Sequence, residues 1–232
     1  MNGSRVNRDG KILAAVLLVW FAAVVWASAA GLFSSGRIPG VAAAILPVFV
    51  FVAWFNVSRT FREFILSADV RMLTALQAWR VAGFVFVVAS IYGILPKVFG
   101  YPAGFGDLAI GLTAPWVASR LAKAQHRSSF ITWQILGLLD LAVAVTTAVL
   151  ASPRFVLLGG GITTAQLTVL PLSVIPTFAV PVAIVVHIVC LAQAATWKEA
   201  KGRAVRDVSS GESSGRDALA GAPASQLPRT KP

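Results

Sequence analysis

"FITWQILGLLDLAVAVTTAVL", residues 130–150, carries a single charged side chain, Asp140, near its centre. Crossing the hydrocarbon core of a bilayer takes about 20 predominantly apolar residues in a helix. A strand or an ordinary core helix has no need of an apolar run this long, so the stretch reads as a membrane span. Further runs at roughly 12–32, 41–57, 72–95, 107–122 and 174–196 read the same way. The 232-residue chain is 57% hydrophobic and only 12% charged, more apolar side chain than one water-soluble core can hide. The expected fold class is therefore all-α: a polytopic transmembrane helical bundle of about six spans.

The net charge of +11 is distributed unevenly. Arg5, Arg8 and Lys11 precede the first span, Arg59, Arg62 and Arg71 separate the second and third, and Arg120, Lys123 and Arg127 separate the fourth and fifth. Seven more follow the sixth, from Lys198 to Lys231, whereas the alternate loops hold Arg37, Lys97 and Arg154, one apiece. The positive-inside rule then puts both termini in the cytoplasm, as an even number of spans requires. The layout is a cytoplasmic N-terminus at 1–11, a six-helix membrane domain at 12–197 and a disordered basic tail at 198–232. These cations meet anionic lipid headgroups; with no basic patch interleaved with aromatics, nucleic acid is not an expected partner. A competing reading takes the first span as a signal peptide ending in "WASAAG", residues 26–31. "SRTFREFILSAD", residues 58–69, reads as a short helix on the cytoplasmic surface.

Ionisable groups inside a span are costly and by default mark function or a structural pair. Helix rise places Arg80 about 13 Å, and Asp140 and His187 each about 15 Å, from the cytoplasmic face, near the middle of the bilayer. Asp140 shares its helical face with Gly137, Ala144 and Thr147; His187 with Ala183, Cys190 and Ala194; Arg80 lies beside Gln77 and Gly83. Small neighbours let helices approach closely, so these faces point inward. An Arg80–Asp140 ion pair follows, with His187 as third member and Gln77 nearby, as candidates for solute binding or proton relay. Histidine beside a carboxylate suits a relay near neutral pH. The bland alternative is a pair that fastens two helices. No metal or cofactor is expected: Cys190 is alone and no His- or carboxylate-rich set occurs. "WRVAG" (79–83) and "WQILG" (133–137) echo one another early in two spans. Pro171, Pro176 and Pro181 point to a broken entry into the last span.

Asp107 stands only 13 residues before Arg120, about 20 Å of helix. That is short for a span, so "YPAGFG" (101–106) is expected to dip in from outside as a non-helical, re-entrant loop. Pro102, Gly104 and Gly106 suit such a loop, with Asp107 capping the following helix. "GFGD" also resembles the GxGD stretch of presenilin-like, signal-peptide-peptidase-like and prepilin peptidases, which implies two facing aspartates sharing a proton. In those families the partner precedes this motif inside a span; here Asp9 and Asp69 lie at the cytoplasmic edge and Asp140 comes later. More broadly, "QAWRVAG", "GILPKVFGYPAGFGDLAIGL", "LLDLA" and "LPLSVIPTFAVPVAIVVH" resemble a group of short, uncharacterised bacterial integral membrane proteins. That resemblance implies the fold and an inner-membrane location, and no mechanism. The expected function is small-solute or proton-linked transport or binding, with enzymatic chemistry left open. The alternatives are an intramembrane aspartyl hydrolase using Asp107 with Asp140, or a non-catalytic accessory protein.

Overall fold

A computed structural model describes residues 3–36, 40–155, 157 and 161–197. The tail expected at 198–232, Arg37 and the first two glycines of 159–161 lie outside the described residues. The chain divides into Met1–Ala194 and Ala195–Pro232; of the second unit only 195–197, the end of the last helix, is described.

All regular secondary structure among the described residues is helical. The elements are α1 (Gly3–Ala29), α2 (Gly40–Val57), α3 (Arg59–Leu66), α4 (Val70–Ile91), α5 (Lys97–Arg120), α6 (Arg127–Leu150) and α7 (Ile175–Trp197). Of these, α1 (from Gly10), α2, α4, α6 and α7 are long and apolar enough to cross a membrane. Their outward faces carry large apolar side chains: Leu18 and Trp26 are each 68% exposed and Phe49 67%.

The expected fourth span, 107–122, needs correction. Its helix α5 begins ten residues earlier, at Lys97, and runs 24 residues, about 36 Å. The "YPAGFG" segment is helical throughout, Pro102, Gly104 and Gly106 included, so there is no re-entrant loop and Asp107 is no N-cap. Glycine costs a helix about 1 kcal/mol against alanine, and here that cost is offset by packing. A Cβ on Gly104 would stand 2.6 Å from Val87 Cγ2, and one on Gly111 2.5 Å from the Val81 backbone nitrogen. The glycines let α5 lie directly on α4. Phe99, Ala103, Ile110, Ala114 and Val117 are buried on this helix.

The middle of α4 tightens to a 3₁₀ turn over Gln77–Phe84. With three residues per turn, side chains three apart stack in line. Gln77, Arg80 and Gly83 are the buried residues of this turn and form one straight stripe facing the bundle. α4 ends at Gly93 (φ 70°), where the Ile94 N–H donates back to Ala89 O at 2.8 Å, a glycine-closed helix end. Pro96, extended at ψ 136°, then starts α5.

α6 buries Phe130, Trp133, Gln134, Gly137 and Leu141, the spacing of one helical face. The proline-rich entry to α7 opens with a π turn over Ile175–Ala179, in keeping with the break expected there. Phe178 on that turn receives Trp20 and Phe21 of α1 at ring-centroid distances of 4.8 and 5.2 Å. α3 is a helix as expected, capped by the Ser58 hydroxyl, which accepts from the Phe61 N–H at 3.3 Å. Its Phe61 stacks on Trp54 of α2 at 4.5 Å.

Candidate functional site

Four helices converge on Arg80. Its side chain is fully buried, placed by the 3₁₀ stripe of α4. Nε donates to Asp107 Oδ1 of α5 at 2.7 Å, and Nη2 donates to Asp140 Oδ2 of α6. Nη1 faces His187 Nε2 of α7 at 3.2 Å and reaches Gly137 O at 3.5 Å. On its other side His187 Nδ1 meets Gln134 Oε1 of α6 at 2.5 Å.

This pattern fixes the histidine tautomer. Arginine only donates and the Gln134 oxygen only accepts, so the ring proton sits on Nδ1 and Nε2 accepts from Arg80. His187, Gln134 and Arg80 are almost wholly buried, whereas 14% of each aspartate side chain is exposed. Leaving a charge unpaired in such surroundings is very expensive, and the guanidinium fork answers that by binding both carboxylates through separate nitrogens.

Asp107, Asp140 and His187 are each seated against a glycine of a neighbouring helix. A Cβ on Gly83 would stand 2.2 Å from Asp107 Oδ2, one on Gly106 1.7 Å from Asp140 Oδ1, and one on Gly137 2.3 Å from His187 Cε1. The glycines of "GFGD" are thus contact surfaces: Gly104 rests on α4 and Gly106 makes room for Asp140. The echo between "WRVAG" and "WQILG" gains a meaning too. Arg80 and Gln134 hold matching positions and grip His187 from its two ring nitrogens, while Gly83 and Gly137 hold matching positions as seats.

Arg80, Asp140 and His187 therefore meet as expected from their shared depth. Gln77 is buried on the same stripe but turns away, its Nε2 donating to Ala183 O at 3.2 Å. Asp107 was placed near the outer surface by sequence reasoning; it lies halfway along α5 and is a second partner of Arg80. Gln134 was missed, although it stands inside the quoted echo. Cys190 is buried with Sγ 3.8 Å from Thr74 Oγ1.

A cavity of about 580 Å³ reaches this cluster at Asp107. Phe86 and Phe99, Leu141 and Ala144 of α6, and Ile175 and Val180 of α7 form much of its wall. Phe33 and Ser34, just after α1, and Ser152 and Arg154, just after α6, line it farther from Asp107.

The family described as "Domain of unknown function (DUF8737)" matches residues 38–195. The chain belongs to that family. The DUF8737 region contains Arg80, Asp107, Gln134, Asp140 and His187 together with their glycine seats, and leaves α1 outside. No curated protein and no solved structure matches the chain.

Proposed function

We propose that this DUF8737 protein is a multi-pass membrane protein that binds a small solute at the Arg80 centre, in a transport or proton-linked role. The apolar perimeter of the helices supports the membrane setting. Large apolar residues such as Leu18, Trp26, Phe49 and Trp116 are exposed on several helices, as surfaces facing lipid would be. With α5 counted as a sixth span, the basic loops fall on one side, both termini are cytoplasmic and the 30–40 and 151–174 connections face outward. Likeness to short bacterial membrane proteins favours a bacterial inner membrane, with anionic lipids at its basic face.

One observation carries the solute-binding reading. A fastening between helices needs one carboxylate per guanidinium, but Arg80 has two, at the foot of a cavity. An apolar cavity of this size with a charged group on its wall, here Asp107, has the usual form of a ligand site. The hydrolase reading draws less support. An aspartyl pair must share a proton across an attacking water, and Arg80 stands between Asp107 and Asp140, bonded to both. The accessory reading rests on the tail, outside the described residues.

Thiol labelling in intact cells tests the proposal. In a Cys190→Ala background, cysteine at Ala148, on the cavity wall, is expected to react with a membrane-impermeant maleimide added from outside. If Ala148→Cys stays unlabelled from both faces yet reacts after denaturation, the cavity is sealed and the centre is only a fastening.

A further inference from the structure

The cavity and the cluster at its foot specify a class of ligand when their charges and shapes are taken together. Arg80 contributes one positive charge, and Asp107 and Asp140 contribute one negative charge each when both are ionised. His187 contributes none in the tautomer that its two hydrogen bonds require. With both carboxylates ionised, the cluster has an excess of one negative charge.

The placement of that excess is asymmetric. The Arg80 and His187 side chains are sealed, whereas the Asp107 and Asp140 side chains each keep part of their surface open and Asp107 lines the cavity. Above Asp107 the walls are apolar: Phe86, Phe99, Leu141, Ala144 and Ile175. Along α6 the lining runs from Leu141 to Ser152, about 16 Å of helix. The space is therefore elongated, with an anionic end inside and an apolar shaft.

We infer that this cavity binds an amphipathic organic cation, an ammonium head at Asp107 carrying an elongated apolar body along α6. The inference rests on the solute-binding reading above and names its ligand class.

Other occupants fit less well. An anion meets two carboxylates at the inner end. A neutral apolar molecule fills the shaft but leaves the excess charge without a partner in a dry setting. A hard inorganic cation needs about six oxygen ligands, and among the described residues no group of three or more His, Cys, Asp or Glu side chains could hold a metal ion. Arg154 also lines the cavity, but it is exposed, where water screens its charge. An alkylammonium satisfies both ends: its head supplies the missing positive charge and its chain replaces the void against the aromatic and aliphatic wall.

The test uses the full chain in lipid nanodiscs, with the Ala148→Cys, Cys190→Ala reporter and three probes: 1-aminodecane, 1-decanol and decanoate. Aminodecane is expected to slow maleimide labelling about tenfold when present at roughly ten times its Kd, and to raise the melting temperature of the reporter-free protein. Decanol and decanoate are expected to do neither. Asp107→Asn is expected to abolish the aminodecane effect; if that variant does not fold, the comparison of three head groups on the unmutated centre still decides.

Equal protection by decanol and aminodecane overturns the cation assignment and leaves the solute-binding reading standing. Labelling unaffected by all three probes overturns the amphipath class while the cavity remains open to solutes. A cysteine that no reagent reaches from either face removes the solute-binding reading itself, and this inference with it.

Discussion

Gly106 and Asp140 compete for one volume: a Cβ on Gly106 would stand 1.7 Å from Asp140 Oδ1 and 2.5 Å from its Cγ. Real side chains do not approach that closely, so α5 and α6 can meet here only because residue 106 has no side chain. Gly106→Ala is expected to push Asp140 off Arg80 and leave the guanidinium short of a partner. Removing one member of a buried ion pair costs about 3–5 kcal/mol. Gly40→Ala is the control, because a Cβ there meets nothing within 4 Å. Thermal unfolding in nanodiscs checks both; equal melting points for the two variants would show that the α5–α6 contact is not as described.

Arg80 should behave as the keystone of the cluster. Arg80→Met removes the cation shared by Asp107 and Asp140 and is expected to destabilise by about 3–5 kcal/mol. Arg80→Lys should rescue little, because one ammonium cannot reproduce a planar fork reaching two carboxylates and an imidazole. Adding Asp107→Asn and Asp140→Asn to Arg80→Met should restore much of the loss, since the charges left unpaired are then gone. A triple variant no more stable than Arg80→Met would contradict this account, in which unmatched charge dominates over lost packing.

Much of this architecture can be read from the chain. Long apolar runs gave the bounds of α2, α6 and α7 to within a few residues, because length and hydropathy report directly on apolar helices. The meeting of Arg80, Asp140 and His187 followed from counting helix rise, which is insensitive to tertiary detail. Local propensity misleads at "YPAGFG", where proline and glycine suggest a loop and the chain is helical. In a helix buried on α4 they serve contact: Gly104 touches Val87, and Gly106 leaves space for Asp140. Local propensity does not contain that information, because the reason for glycine lies on another helix. The same holds for Gln134, whose role depends on a histidine 53 residues away.

The hydrogen bonds of His187 fix which ring nitrogen carries the proton. Nitrogen NMR on specifically labelled histidine is expected to find the Nδ1-protonated tautomer for His187, with Nε2 unprotonated. Gln134→Leu removes the acceptor at 2.5 Å and should cost about 1–3 kcal/mol by leaving a buried N–H unpaired. It should also shift the fluorescence of Trp133, whose ring lies 5.7 Å from the imidazole. An Nε2-protonated ring in the unmodified protein would reverse the donor and acceptor roles drawn here and separate Arg80 from His187.

Ser28 Oγ lies 2.5 Å from Ser173 Oγ, joining the end of α1 to the entry of α7. Beside lipid, apolar burial contributes little to helix association, so packing and polar contacts must hold α1 in place. Ser28→Ala is expected to cost only about 0.6–1.7 kcal/mol, the usual range for one interhelical hydrogen bond in a membrane. Geometry offers a sharper readout. The two side chains point at one another, so Ser28→Cys with Ser173→Cys in a Cys190→Ala chain should cross-link under mild oxidant. The cross-link should survive in nanodiscs and should weaken when Phe178→Ala removes the ring that receives Trp20 and Phe21. Failure of the pair to cross-link in the otherwise intact chain would detach α1 from the π turn. The cavity would then lose the wall that Phe33 and Ser34 supply.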